Sequence, residues 1–294
     1  MKVVAIDLDG TLLSEDLTIH EENVRAIREA QQQGSIISIA TGRALFDAQN
    51  IIEKYGLNCP IIASNGAQIY VDNKKIDEQF MDPHITQPII QWLNEENTYY
   101  QPYLSDKIVV SDRGIHHLEE ELHEVVKQDP SFNKDHFWES IKVTIEQNGL
   151  QEVRGTIHPT DYDSIVKLMV VSPDTSKLKR AKEYFNQLGG CVVSSSGEFN
   201  LEIMSVGVDK GIGLHKLCDY YGTTVKNTVV IGDNLNDMPM FHVAGMGIAM
   251  GNAEEELIKI ATFKTLSNNE CGVAYAFNKY IQENEMVSSG LTGR

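Results

Sequence analysis

"AIDLDGTLL", residues 5–13, joins a run of strand-forming apolar residues to two aspartates one residue apart, then turns on Gly10 and Thr11. Side chains two apart on an extended segment point the same way, so Asp7 and Asp9 leave the strand end together. A carboxylate at the end of a buried strand needs a partner for its charge. Two carboxylates side by side repel unless a cation or a shared proton intervenes. The stretch predicts a buried strand that ends in an acidic site. Asp-Gly is also a strong hairpin signal, and a hairpin can coexist with such a site. A calcium loop counted from Asp7 is excluded, because its sixth and twelfth positions are Leu12 and Thr18 in place of Gly and Glu.

Outward from this strand, apolar runs alternate with helical patterns. "HEENVRAIREAQQQG" places Val24 and Ile27 on one face and ends at Gly34. "SIISIA" reads as a second strand, "ALFDAQNIIEKYG" as a second helix and "PIIAS" as a third strand. This rhythm implies βαβ units and a doubly wound, Rossmann-like parallel sheet. After about residue 80 the pattern becomes more aromatic and irregular, with strands in "TYYQPYL", "KIVVS", "QEVRGTIH" and "KLMVVSP". From about residue 199 the first rhythm resumes: "FNLEIM", "TVVIGD" and "MGIAM" read as strands of the same sheet. "NAEEELIKIA" reads as a helix opened by a capping box at Asn252 and Glu255. The expected division is a discontinuous core, 1–83 and 193–287, an inserted α/β module, 84–192, and a disordered tail, 288–294.

Three further polar stretches fall at strand or helix ends, where an open parallel sheet gathers its ligands. Thr41-Gly42-Arg43 follows the second strand; a hydroxyl and free backbone N–H groups there suit an anion, or simply cap a helix. Lys210, in "GVDKGIG", is no P-loop lysine, since no Ser or Thr follows it. Gly232-Asp233-Asn234-Leu235-Asn236-Asp237 sets a second acidic pair after the apolar "TVVI". "GMGIAMG" mimics a dinucleotide-binding loop, but Met250 stands where its third glycine belongs, so nicotinamide binding is excluded. His116-His117 is not read as a metal pair, because adjacent residues on a strand point apart.

The 294 residues are 41% hydrophobic, enough for a sizeable core, and carry a net charge of −17. That charge argues against nucleic acid or anionic membrane partners. It also repels an anionic substrate unless a metal inverts the local field. The four scattered cysteines read as buried thiols of a reducing compartment. The N-terminal apolar run is too short for a signal peptide, and no run approaches the ~20 residues of a membrane span. A cytoplasmic monomer or weak homo-oligomer is expected.

DLDGT near the N-terminus, a hydroxyl after the second strand, a lysine and GDxxND together resemble the haloacid-dehalogenase-like phosphatases. "SNGA" (64–67), "VDKG" (208–211), "GDNLNDMPM" (232–240) and "AMGNA" (249–253) are similar to the Cof-type branch, which carries a large α/β cap. The resemblance implies a phosphatase with Asp7 as nucleophile and Asp9 as general acid and base. It implies Mg²⁺ on Asp7, the backbone carbonyl of Asp9 and Asp233, with Asp237 in support. Gly10 and Thr11 would shape the turn. Thr41 and Gly42 would hold the phosphoryl oxygens, Lys210 would neutralise charge and Asn236 would help place it. Substrates in this branch are small phosphorylated metabolites: sugar phosphates, flavin mononucleotide, pyridoxal phosphate. The cap would choose among them, and Arg113, Arg154, Tyr99, Tyr100 and Tyr103 are its candidates, although taken singly each reads first as a surface arginine or a packing aromatic. A sugar phosphomutase would use the same core residues. A phospho-aspartate signalling receiver would lack the insert.

Overall fold

The structure is a computed structural model that describes residues 2–146, 149–155 and 159–282. In chain order it contains β1 (Val3–Ile6), α1 (Glu21–Gln32), β2 (Ile36–Ala40), α2 (Leu45–Glu53), β3 (Ile61–Ala63), β4 (Gln68–Val71) and β5 (Lys74–Glu78). Then come α3 (Pro83–Glu95), β6 (Tyr99–Leu104), β7 (Ile108–Ser111), α4 (Gly114–Gln128), α5 (Lys134–Ile145) and β8 (Leu150–Val153). β9 (Ile165–Val171), α6 (Thr175–Leu188), β10 (Cys191–Ser194) and β11 (Asn200–Ser205) follow. After these come α7 (Lys210–Tyr220), β12 (Thr228–Gly232), α8 (Met238–Val243), β13 (Met246–Ala249), α9 (Glu255–Ile260), β14 (Phe263–Lys264) and α10 (Gly272–Ala276), which a further helical turn at Phe277–Gln282 extends.

Two compact units result. One comprises residues 1–43, 48–77 and 209 onward; the other comprises 44–47 and 78–208. The first holds a sheet in the order β14-β13-β12-β1-β2-β3-β4-β5. Strands β14 to β3 of that order run parallel, and β4 pairs antiparallel with β3. All four residues of β1 are fully buried, as a parallel strand covered on both faces must be. Chain order reverses on either side of β1, which sits between β12 and β2. That reversal opens a crevice at the carboxyl ends of these three strands, and Asp7, Thr41 and Asp233 each follow one of them.

The second unit holds the sheet β10-β11-β9-β6-β7-β8, antiparallel except for the β7–β8 pair. Leu168, Val170 and Ile203 on one face pack with Ile89 and Leu93 of α3 and Phe185 of α6.

Several expectations change. "FNLEIM" is not a strand of the parallel sheet: β11 pairs antiparallel with β9 and β10, with Ile203 opposite Leu168 and Val193. The inserted unit accordingly begins near Glu78 and ends near Val208, wider than 84–192. A strand buried on both faces carries the same apolar run in either sheet, so its pattern does not reveal its partner. α3 opens with the Asp82 carboxylate accepting from His84 N at 2.9 Å. His116 and His117 lie on α4, not on a strand. The expected disordered tail, 288–294, lies outside the described residues. No helix among the described residues is long and apolar enough to cross a membrane.

Candidate active site

Asp7 is held in line with the sheet by its backbone N–H, which donates to Ile231 O at 3.0 Å. The chain then turns sharply through Leu8–Leu12, with Gly10 at φ +74°. A Cβ on Gly10 would overlap the Asp233 carboxylate, so positive φ and close approach both demand glycine. The same turn places Thr11, whose hydroxyl donates to Asp233 Oδ1 at 2.6 Å across 222 residues.

Lys210 is the first residue of α7, which Asp209 caps by accepting from Ile212 N at 2.7 Å. That cap packs so closely under the Ser64–Gly66 turn that a Cβ on Gly66, at φ +100°, would overlap the Asp209 carbonyl. The Lys210 side chain has no exposure, and its ammonium donates to Asp7 Oδ1 at 2.8 Å and to Asp237 Oδ1 at 2.6 Å. Asp237 Oδ2 accepts from the backbone N–H groups of Asp233 (2.9 Å) and Asn234 (3.1 Å). Both oxygens of Asp237 are therefore engaged, one on the lysine and one on the turn that follows β12.

Carboxylate oxygens of Asp7, Asp233 and Asp237 lie within 4.8 Å of one another. Burial and the nearby Asp237 charge push Asp7 well above the usual carboxylate range, although Lys210 opposes them. Burial, then Asp237, raises Asp233 to about 7 against the pull of Thr11 and Lys210. Burial alone would lower Lys210, but Asp237 and Asp7 outweigh it and its value rises. One ammonium thus faces three buried acids. The deficit of positive charge and the all-oxygen donor set fit a hard divalent cation.

Asp9 is placed differently from the expectation that paired it with Asp7. Its carboxylate turns to Arg43 in a two-pronged contact, Nε to Oδ2 at 2.8 Å and Nη2 to Oδ1 at 2.7 Å. The Arg43 side chain is buried, whereas that of Asp9 is 41% exposed. Thr41 is fully buried at the end of β2, and its hydroxyl accepts from Arg43 N at 3.1 Å. It caps no helix, because α2 starts four residues later, and Gly42 belongs to the same short loop. Asn236 donates to Asn65 Oδ1 at 3.3 Å, and its own Oδ1 is buried with no partner among the described residues.

Arg43, Asn65 and Asn252 escaped the sequence reading of roles. Arg43 stood in the quoted Thr-Gly-Arg stretch, and its partner lies 34 residues away. Asn65 stood in "SNGA". Asn252 makes no capping box: its amide donates to Gly10 O at 2.8 Å and its Oδ1 accepts from Asn268 N at 3.0 Å. α9 has Glu254 at its cap, with no side-chain cap bond. The local capping pattern lost to a long-range tie onto the Gly10 turn.

A sequence profile described as haloacid dehalogenase-like hydrolase matches residues 4–277. The chain is 36% identical over 283 residues to the Bacillus subtilis 5-amino-6-(5-phospho-D-ribitylamino)uracil phosphatase YwtE, covering 96% of this chain and 98% of that protein. It is 32% identical over 282 residues to the B. subtilis phosphatase YwpJ, covering 94% and 98%. A solved haloacid dehalogenase-like hydrolase from B. subtilis superposes with a TM-score of 0.83 at 31% identity, covering 95% of this chain and all of the other.

Proposed function

Because the chain belongs to the haloacid dehalogenase-like hydrolases and is a phosphatase, we propose that it hydrolyses small phosphorylated metabolites through an aspartyl-phosphate on Asp7. The observation that carries this reading is the buried Lys210 ammonium, bound to Asp7 and Asp237 with Asp233 beside them. Lys210 opposes the upward push of burial on Asp7, a bound cation would add to that opposition, and the lysine leaves the other oxygen, Oδ2, for attack. That oxygen attacks phosphorus in line, and the bond from phosphorus to the leaving alcohol oxygen breaks. Asp9 donates a proton to that oxygen, then takes one from the water that releases inorganic phosphate from Asp7.

One N–H bond on each oxygen fixes the plane of the Asp9 carboxyl and leaves a second lone pair on each oxygen for the proton. Arg43 is thus the positioning residue for the acid and base steps. Thr41 and the Gly42 backbone would receive the transferring oxygens, while Asn236 would steady the site beside Lys210. Mg²⁺ held by Asp7, the Asp9 carbonyl and Asp233 would, when bound, offset the negative charge of site and phosphate. Asp237 supports that set through Lys210 and the turn after β12.

Similarity to YwtE makes 5-amino-6-(5-phospho-D-ribitylamino)uracil the first substrate to test, followed by sugar phosphates, flavin mononucleotide and pyridoxal phosphate. The 78–208 unit would act as the cap that chooses among them. Four free cysteines agree with a cytoplasmic setting. Phosphate release from this panel with Mg²⁺ tests the reading. Release from at least one ester, abolished by EDTA, is expected; no release from any member contradicts it.

A further inference from the structure

The second unit contains a cavity that shares no residue with the acidic site. Its volume is about 550 Å³, within the size range of small-molecule pockets. It lies where β6 begins and where β7 and β8 end, lined by Thr98, Ser111, Arg113, His117 and Arg154 among others. The opposite end of β6, at Leu104, pairs with Ile165, whose carbonyl accepts from Met81 N where the chain enters this unit. The cavity therefore sits at the end of the sheet remote from that entry.

Three independent features there favour an anion. The 15-residue helix α4 begins in the cavity wall, with Arg113 at its cap and no side-chain cap bond, so its first N–H groups and positive dipole end are open. Arg113 and Arg154 are both exposed. Among the described residues neither guanidinium has an ion-pair or hydrogen-bond partner, in a chain whose net charge is −17. Thr98 lines the cavity at 5% exposure, and its Oγ1 is buried without a partner among the described residues. An unpaired buried hydroxyl carries a desolvation penalty unless something binds it.

The backbone that carries the arginines is tied together. Asp112 Oδ1 accepts from Gly155 N at 3.1 Å, and Ser111 Oγ accepts from Arg113 N at 3.2 Å. These bonds tie the turn after β7 to the end of its parallel neighbour β8, where Ser111 is opposite Val153. The tie engages one oxygen of Asp112; this carboxylate also lines the cavity, where its single negative charge is set against the two guanidiniums.

We propose that this cavity binds the phosphate group of a small molecule. Two guanidiniums suit several oxygens at once, the helix start supplies N–H donors and the Thr98 hydroxyl supplies another. The rings of Tyr99 and Tyr100, also in the lining, would face the body of an ester. The proposal is independent of the chemistry assigned to Asp7.

The test uses the full chain in EDTA, titrated with inorganic phosphate and, separately, with glycerol phosphate, read by amide NMR and calorimetry. Saturable shifts at Thr98 and at Arg113–His117 are expected, and they persist in Asp7→Asn. Arg113→Ala/Arg154→Ala should weaken binding at least about tenfold, as befits two lost charge-assisted contacts. Thr98→Val should weaken it severalfold, and Thr98→Ser should restore it. Tighter binding of the ester assigns the site to a metabolite, and equal binding to free phosphate. Shifts confined to Asp7, Thr41 and Lys210, or unchanged affinity in the double arginine variant, would overturn the proposal.

Discussion

The two units treat buried charge in opposite ways. In the second, Lys167 and Glu202 sit 3.7 Å apart on neighbouring strands, each at most 2% exposed, with the ammonium 4.2 Å above the Tyr103 ring. One cation meets one anion in the middle of a sheet. In the first, one ammonium, Lys210, meets Asp7 and Asp237 while Asp233 stands by, all at strand or helix ends. The Lys167–Glu202 arrangement is balanced and serves packing. The Lys210 cluster is short of positive charge by construction, and a fold tolerates such a deficit where a ligand supplies what is missing.

Substitutions break this contrast most directly. Asp7→Asn should lower turnover by about 10⁴-fold or more while circular dichroism stays that of the parent. Asp9→Asn should lose on the order of 10²- to 10⁴-fold in kcat, the usual worth of a general acid and base. Arg43→Lys, which cannot hold both Asp9 oxygens in one plane, should reduce kcat with little change in KM. Normal kcat in Arg43→Lys would remove it from the positioning role.

Stability separates the two lysines. Lys210→Met leaves three buried acids without their cation and should cost about 3–5 kcal/mol in denaturant unfolding without metal. The double change Lys167→Met/Glu202→Leu removes both members of its pair and should alter stability by about 1 kcal/mol or less. Equal losses from the two changes would erase the distinction.

The smallest effect is on pH. Asp233 has a folded value of about 7 against an ordinary 3.8. Between those values the folded chain binds more protons than the unfolded one, so metal-free stability falls as pH rises through that window. Mg²⁺ competes for the same oxygens, so its stabilising effect should grow as pH rises toward 7 and then level off. Thermal unfolding at several pH values, with and without Mg²⁺, measures both trends. A metal effect independent of pH would contradict the Asp233 assignment.

The same contrast explains what could be read from the sequence. Asp7, Thr41, Asp233 and Lys210 were visible because polar residues interrupt apolar runs at strand and helix ends, a local and periodic pattern. Arg43 was hidden because its meaning depends on Asp9, 34 residues earlier. Asn252 looked like a cap for the same reason: its true partner, Gly10, lies 242 residues away. β11 was read into the parallel sheet because an apolar run records burial and says nothing of which strand lies alongside. The second unit is built largely from such pairings, so its extent was underestimated and its helices α4 and α5 went unread.

The central claim is that Asp7, paired with Lys210, takes the phosphoryl group. Rapid acid quench during turnover, followed by mass spectrometry of the peptide containing Asp7, tests it most directly. The account predicts a phosphoryl adduct on Asp7 that forms and decays at rates compatible with turnover. Turnover with no adduct there, or with an adduct on another residue, would contradict it.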